Sequence, residues 1–253
     1  LCRDRMGEKP LYFAPVAGGW AFASELKALG AVPGFDPEID RASVASFLRF
    51  KYVPSPWTIW DGVRKVHPGG HVTLALGREP VVERWWSVFD EHERARSEPF
   101  TGTDAEAVEA LEHLLADAAR TRVVADVPVG SLLSGGIDSS VVTAFAQQVS
   151  GHPLCTFTIG SPDPSVDEAE AARAVAQHLG TDHTEVTVTE RDAIDLLPRL
   201  PELWDEPFAD SSQLPTLLIA EVARQSVTVA LSGDGGDELF GGDNRHTWGP
   251  TLW

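Results

Sequence analysis

The chain has 253 residues, of which 43% are apolar, a content that supports one large or two modest folded domains rather than a disordered chain. Its formal net charge of −18 argues against nucleic acid or an anionic membrane surface as a partner, because both need clustered Lys and Arg. Only two cysteines are present and no apolar run is long enough to span a membrane, so we expect a cytoplasmic protein without disulfide bonds.

The first part of the chain, up to about Trp86, is predicted to be rich in β-structure. Two strand-like runs at 11–14 and 20–23 flank a turn that contains Pro and Gly, which is typical of a β-hairpin. Asp40 is a good N-cap for a helical stretch over 43–50. Charged residues without periodicity follow, so the sequence predicts a first domain over 1–92 and a linker over 93–103.

From Asp104 onwards, helical patterns alternate with short apolar strands. Helices are predicted at 105–123, 141–148, 168–179, 191–200 and 214–225, and strands at 127–133, 154–159, 184–188 and 227–231. This alternation predicts an α/β domain over 104–253 with a doubly wound parallel sheet, which binds its ligand at the carboxyl ends of the strands.

The segment Ser134-Gly135-Gly136-Ile137-Asp138-Ser139-Ser140 joins a predicted strand to a predicted helix. Backbone N–H groups at a helix start favour an anion, and glycine lets phosphate oxygens approach the backbone closely. The loop lacks the Gly-Lys-Ser/Thr of a Walker A motif and has a carboxylate where a Mg²⁺ ligand would be useful. It resembles the pyrophosphate-binding loop (PP-loop) of the ATP pyrophosphatases, which cleave ATP between the α and β phosphates.

A second glycine-rich loop follows the last predicted strand and has the sequence Ser232-Gly233-Asp234-Gly235-Gly236-Asp237-Glu238. Its carboxylates repel phosphate unless a divalent cation lies between them, so the sequence implies Mg²⁺. In a parallel sheet this loop can face the PP-loop, which predicts that Asp138 and Asp237 share the metal. A solvated acidic turn is the alternative interpretation.

Together with the run from Asp205 to Thr216, these loops resemble the glutamine-dependent asparagine synthetases of class B. The segments 3–12, 22–27 and 68–70 are similar to the later half of that family's N-terminal glutaminase domain. The resemblance implies part of a glutaminase domain of the N-terminal-nucleophile (Ntn) type, followed by a Rossmann-like PP-loop synthetase domain. It also implies synthesis of asparagine from aspartate and ATP through β-aspartyl-AMP, with Mg²⁺ and with glutamine or ammonia as the nitrogen source.

The resemblance also assigns roles to individual residues. ATP would be held by Leu132, Ser134, Gly135, Gly136, Asp138, Ser139, Ser140, Ile159, Ser232 and Gly233. Asp138 and Asp237 would hold Mg²⁺, and Asp234, which stands where family members often have Glu, would be the catalytic carboxylate. Candidates for contact with the substrate are Asp210, Ser211 and Gln213.

The chain departs from the family pattern at several points. Cys2 lies in a stretch well downstream of the family's nucleophilic cysteine, so we expect no glutaminase nucleophile in this chain and interpret the sequence as an internal fragment. Asp243 stands where the family usually has Tyr, which is expected to change the local packing. Two rival interpretations stay open: a related carboxylate-adenylating enzyme, such as a β-lactam synthetase or a lasso-peptide cyclase, and a non-catalytic nucleotide-binding module. The oligomeric state is also open, with a homodimer among the alternatives.

Overall fold

The structure is a computed structural model that describes residues 1–163, 167–242, 248 and 249. The chain divides into two compact units. The first unit contains Leu1–Thr101 and Leu197–Ser211, and the second contains Gly102–Leu196 and Ser212–Trp253. Within the described residues, no helix combines the length and the apolar content needed to cross a bilayer.

The secondary-structure elements alternate along the chain as follows. The strands are β1 (Tyr12–Val16), β2 (Gly19–Ala23), β3 (Arg64–Lys65), β4 (Gly70–Thr73), β5 (Val81–Arg84), β6 (Val129–Leu132), β7 (Cys155–Gly160), β8 (Asp182–Thr187) and β9 (Val229–Leu231). The helices are α1 (Leu26–Leu29), α2 (Arg41–Phe50), α3 (Val88–Ser97), α4 (Asp104–Arg122), α5 (Ile137–Val149), α6 (Ala169–Leu179), α7 (Glu190–Leu196), α8 (Leu200–Leu203), α9 (Gln213–Ala223) and α10 (Gly236–Phe240).

The first unit is built on two small antiparallel sheets. One has the strand order β2-β1-β3, and the other pairs β4 with β5. Strand β1 sends alternate side chains to opposite faces, so Tyr12 and Ala14 pack with Leu26 and Leu29 of α1, whereas Phe13 packs into a separate cluster around Val72. The predicted hairpin is confirmed, with residue pairs that run from Tyr12 opposite Ala23 to Val16 opposite Gly19.

The second unit contains a four-stranded parallel sheet with the order β8-β7-β6-β9. Its two faces are both covered, as the alternation along β6 shows. Ser131 faces Thr143 of α5, and Leu133, just after the strand, packs against Ala172 of α6. Leu132 instead packs against the cluster of Phe157, Val227 and Ala223 of α9 on the opposite face. The predicted α/β fold with a doubly wound parallel sheet is therefore confirmed.

One helix lies where the sequence predicted a linker. Helix α3 covers Val88–Ser97, and Ser87 caps it by accepting a hydrogen bond from the amide of Phe89. Acidic residues in its first turn and basic residues in its last turn suit the helix dipole, and an ion pair joins Glu91 to Arg94. None of its residues is buried, so it has no apolar stripe from which the periodicity could have been recognised.

The structure also differs from the sequence prediction at Leu197–Ser211. The sequence placed this segment in the domain over 104–253, within and after a helix over 191–200. Helix α7 instead ends at Leu196, and a 3₁₀ turn over Leu197–Arg199 leads into α8. These residues group with the first unit, because their contacts are with Lys27, Lys51 and Lys65 of that unit.

Candidate nucleotide-binding site

The candidate site lies at the carboxyl ends of β6 and β9. From β6 the chain proceeds to β7 and β8 on one side, and it then returns to place β9 on the other side of β6. In doubly wound sheets, a reversal of strand order of this kind marks where the ligand crevice usually lies, outside the loops that follow the two strands. The PP-loop follows β6 and the acidic glycine-rich loop follows β9, as predicted.

The PP-loop is held together by its own serines. Ser139 Oγ lies 2.9 Å from Ser134 Oγ and accepts a hydrogen bond of 3.2 Å from the Ser134 amide. The amide of Gly136 donates in turn to Ser134 Oγ over 3.2 Å. Helix α5 begins directly afterwards at Ile137, and its N-cap Gly136 supplies no side-chain acceptor. The first amides of this 13-residue helix are therefore free of a side-chain cap, and the positive end of its dipole is directed at the loop.

The glycines of the PP-loop are required for two different reasons. Gly135 has φ +81°, and a Cβ there would lie 2.6 Å from backbone atoms of both Ala171 and Ala172 in α6. A Cβ on Gly136 would meet only Ser134 Oγ, at 3.3 Å. Gly135 is thus fixed by packing within the protein, whereas Gly136 keeps open the space in front of the helix start, which is the role that the sequence argument gave to both.

The two loops are in direct contact. A Cβ on Gly233 would lie 2.7 Å from the amide nitrogen of Ser139 and 3.0 Å from Asp138 Cβ. A Cβ on Gly236 would overlap the carboxyl group of Asp138. The predicted approach of the acidic loop to the PP-loop is therefore present. Gly233 is needed because the two backbones pass close to each other, and Gly236 leaves room for the Asp138 side chain.

The acidic side chains of the second loop are separately held. Asp234 is exposed and accepts a hydrogen bond of 3.0 Å from Ser232 Oγ. Asp237 is also exposed, and its Oδ1 lies where a Cβ of Gly242 would be. Among residues 1–163, 167–242, 248 and 249, no three His, Cys, Asp or Glu side chains are grouped so that they could hold a metal by themselves. Within this part of the chain, no third carboxylate is therefore placed to bind a metal together with Asp138 and Asp237.

The residues present nevertheless fit a Mg²⁺-nucleotide. Mg²⁺ is commonly bound by one or two carboxylates and takes its remaining ligands from phosphate oxygens and water. Beside Asp138, the Ser140 hydroxyl is buried and makes no hydrogen bond within the described structure. A buried hydroxyl without a partner is costly, so this group is suited to an oxygen ligand that enters the crevice.

The remaining predicted site residues are more dispersed. Leu132 and Ile159 are half-buried near the ends of β6 and β7, the strands that are paired in the sheet centre. Asp210 and Ser211 are exposed and belong to the first unit, whereas Gln213 begins α9 in the second. Asp243 lies outside the described residues.

Cys2 lies in an exposed extended segment near the start of the chain. Its thiol is exposed and free, and the residue forms an isolated β-bridge with His71. Its Sγ is 4.0 Å from the carbonyl oxygen of Arg3. The surroundings of Cys2 are those of a residue in an extended segment beside β4.

Sequence reasoning missed two carboxylates that the structure makes prominent. The sequence used Asp205 and Glu206 only as the start of the run that carries the family resemblance. In the structure their oxygens bind Leu26, Lys27, Ile59 and Lys65 in the first unit. An Asp-Glu pair next to a proline was the only local signal. Its partners are more than 140 positions away, a distance over which a single sequence gives no information on contacts.

The fold defines a doubly wound α/β domain with two glycine-rich loops in contact at the carboxyl ends of its strands, joined to a β-rich unit. Residues 110–253 match the sequence family described as Asparagine synthase, and residues 1–86 match a Glutamine amidotransferase domain. The chain belongs to the asparagine synthase family.

Individual relatives agree with this assignment. The chain is 35% identical over 243 residues to asparagine synthetase [glutamine-hydrolyzing] 1 of Bacillus subtilis, a match that covers 96% of this chain and 37% of the relative. It is 37% identical to a putative asparagine synthetase [glutamine-hydrolyzing] of Mycobacterium tuberculosis, with 95% and 37% covered. The chain thus spans little more than a third of the length of these relatives.

Among solved structures, an NH₃-dependent NAD synthetase from Campylobacter jejuni aligns with a TM-score of 0.38 and 14% identity. That alignment covers 52% of this chain and 58% of the other.

Proposed function

We propose that the full-length protein is a glutamine-hydrolysing asparagine synthetase. In this reaction the side-chain carboxylate of aspartate attacks the α-phosphorus of ATP, which forms β-aspartyl-AMP and releases pyrophosphate. Ammonia from the hydrolysis of glutamine to glutamate then attacks the acyl carbon, and AMP leaves as asparagine forms. The names of the two relatives described above, an asparagine synthetase and a putative asparagine synthetase, support the product, and the matched glutamine amidotransferase domain supports the nitrogen source.

The observation that carries the proposal is the contact between the two loops around Asp138 and the buried Ser140 hydroxyl. The amides that start α5 would bind the β and γ phosphates, because they have no side-chain cap and lie at the positive end of the helix dipole. The hydroxyl of Ser140, which has no partner within the protein, would add a further donor. Leu132, Ile159 and the Ser232-Gly233 backbone would contact the rest of the nucleotide. When bound between Asp138 and Asp237, Mg²⁺ would offset the negative charge of the phosphates.

Asp234 is the proposed catalytic carboxylate. It lies in the loop that contacts the PP-loop, and Ser232 fixes its side chain by a hydrogen bond. A carboxylate in this position can accept a proton from the attacking amine, because its loop would border the bound phosphates. Its replacement by Asn should therefore lower amide formation more than pyrophosphate release.

The experiment uses the full-length protein with ATP, aspartate and ammonium, so that synthesis is measured without the glutaminase step. AMP, pyrophosphate and asparagine should appear in equal amounts. Asp138→Asn should reduce AMP formation by about 100-fold, the size expected for loss of a group that stabilises charge in the transition state. Asp126→Asn is the matched control, since Asp126 is exposed on the same unit and away from the two loops.

A second variant tests the binding role of the unpartnered hydroxyl. Ser140→Ala should weaken binding of Mg²⁺-ATP while it leaves the free energy of unfolding unchanged to within about 1 kcal/mol, because a buried hydroxyl without a partner contributes little to the fold. If AMP forms equally well without aspartate, or if Asp138→Asn is fully active, the proposed function is wrong. Activity with a different carboxylate would identify the protein as one of the related adenylating enzymes.

A further inference from the structure

Residues 197–211 form a segment that leaves the second unit after α7, joins the first unit, and returns to the second at Ser212. Backbone contacts hold it at both ends. Lys27 Nζ donates to the carbonyl oxygens of Glu202 and Leu203, each over 3.1 Å. Near the other end, the amide of Ala209 donates to the carbonyl oxygen of Lys51 over 2.9 Å. The chain therefore crosses between the units at 196–197 and 211–212 as well as at 101–102.

The Glu206 side chain is bound through both of its carboxylate oxygens. Its Oε1 accepts a hydrogen bond of 2.7 Å from the amide of Ile59, and its Oε2 lies 2.6 Å from Lys65 Nζ. The side chains of Glu206 and Lys65 are only 13% and 14% exposed. Lys65 also donates to the carbonyl oxygen of Val53 over 2.6 Å, which fixes its position. A charge pair that is this buried, and bonded on both sides, is sensitive to the loss of either partner.

Asp205 repeats this arrangement one residue earlier. Its Oδ2 accepts a hydrogen bond of 2.6 Å from the amide of Leu26, and its Oδ1 lies 3.4 Å from Lys27 Nζ. Burial raises the pKa of Tyr12 to about 12, and the negative charges of Glu206 and Asp205 add to that rise. Both carboxylates thus lie beside β1, within a surface of the first unit that provides two lysines and two backbone amides for them.

The pairing of Asp205 with Lys27 and of Glu206 with Lys65 is selective, because the chain has 38 acidic but only 20 basic residues. Where carboxylates are in excess, each lysine has many possible partners. The pairing of Lys65, which is mostly buried, and Lys27, which is half exposed, with two adjacent carboxylates fixes the register of the segment. After Ala209 the chain continues directly into Asp210 and Ser211, two of the candidate substrate residues, and then into α9. A shift of the segment on the first unit would therefore move the start of α9.

We propose that Asp205 and Glu206 are positioning residues that couple glutamine hydrolysis to asparagine formation, by anchoring the 197–211 segment to the first unit. The inference rests on the proposed function, because it concerns the coupling of the two activities assigned there. It does not place either carboxylate at the reacting atoms. Their removal should uncouple the two activities without abolishing synthesis from ammonium.

The anchoring itself is tested on the chain as given. A protease site is introduced into residues 98–103, the chain is cleaved there, and the association of the two pieces is measured by gel filtration at decreasing concentration. The pieces should stay together in the otherwise unchanged chain and should associate about 10-fold more weakly in the double variant Asp205→Asn, Glu206→Gln. Glu202→Gln is the matched control, because its side chain is exposed and only its backbone carbonyl binds Lys27.

The coupling is tested on the full-length protein by the ratio of glutamate released to AMP formed. With glutamine, the double variant should raise this ratio about fivefold or more, while AMP formation driven by ammonium stays within about twofold of the wild type. The Glu202→Gln control should leave both values unchanged. Retained ammonium-driven synthesis also shows that the variant is folded.

The inference is overturned if the ratio is unchanged, or if glutamine-driven and ammonium-driven synthesis fall in proportion. It is also overturned if the cleaved pieces of the double variant stay associated as strongly as before. If the wild type forms no AMP from aspartate and ammonium, the proposed function is wrong, and so is the proposed coupling. The association of the cleaved pieces then still tests whether the two carboxylates anchor the segment.

Discussion

Replacement of Gly135 by Ala is expected to destabilise the second unit strongly. Two effects add. A residue other than glycine at φ +81° costs about 1–2 kcal/mol, because its Cβ approaches the following carbonyl. The same Cβ would lie 2.6 Å from backbone atoms of α6, and forcing extra volume into such a contact costs about 1–3 kcal/mol more. The free energy of unfolding should therefore fall by about 2–5 kcal/mol, a large part of the total for a typical domain.

The matched control is Gly180→Ala in the same unit. Gly180 has φ +70°, close to that of Gly135, but nothing lies within 4 Å of its Cβ position. This variant has the conformational cost alone and should lose only about 1–2 kcal/mol. Urea denaturation followed by far-ultraviolet circular dichroism gives both values, since the change in the midpoint at constant slope reports the change in stability.

Hydrogen exchange measured by mass spectrometry adds a local test of the Gly135→Ala prediction. The exchange rate of the α6 amides next to Ala171 and Ala172 should rise in Gly135→Ala and stay the same in Gly180→Ala. Only the first substitution forces a Cβ against this part of the helix. Equal losses of stability in the two variants would refute the argument that packing against α6 fixes Gly135. So would a normal exchange rate in α6 of the Gly135→Ala protein.

Three further predictions concern other parts of the chain. Thr143→Val removes the 2.8 Å partner of the buried Ser131 hydroxyl and should lower the unfolding free energy by about 1–3 kcal/mol in urea denaturation, whereas exposed Thr121→Val should not. Burial lowers the pKa of His183 below its ordinary value of 6.5, so the folded state disfavours the charged ring. The contribution of His183 to the free energy of unfolding should be complete above pH 6.5 and should decrease as the pH falls below that value. His183→Gln should make the free energy of unfolding less dependent on pH in this range. Cys2→Ala should leave glutamate release from glutamine by the full-length protein unchanged, because the thiol is exposed and lies in a simple extended segment; abolished release would show that Cys2 is the nucleophile.

The sequence was informative where structure depends on local patterns. The predicted ends of the parallel strands differ from the observed ends by no more than two residues. Short apolar runs between helical stretches can be recognised without knowledge of the fold. Asp40 was correctly identified as a helix N-cap, and its Oδ1 accepts the amide of Ala42 over 3.0 Å. The contact between the two glycine-rich loops was also predictable, because carboxyl ends of neighbouring parallel strands meet at one edge.

The sequence was uninformative where structure depends on distant partners or on solvent. Helix α3 is stabilised by its cap and by surface charges, so it lacks the apolar periodicity by which helices are recognised. The bonds of Asp205 and Glu206 join residues 147 and 179 positions apart, and nothing in the local sequence distinguishes these carboxylates from ligands of a substrate. The direction of the Asp237 carboxylate depends on the backbone at Gly242, which residue type alone does not fix.

The glycines of the two loops show that a match to a glycine-rich motif does not by itself demonstrate a binding site. At Gly135, Gly233 and Gly236, a Cβ would collide with other parts of the protein, so these glycines are required by the fold even without a ligand. Gly235 faces open space as well, but its φ of +92° is itself a reason for glycine. In the PP-loop, Gly136 keeps space that the protein does not fill, and the Ser140 hydroxyl is buried without a partner. The support for an anion therefore rests on these two residues and on the uncapped start of α5, since the other glycines would be needed in a protein that bound nothing.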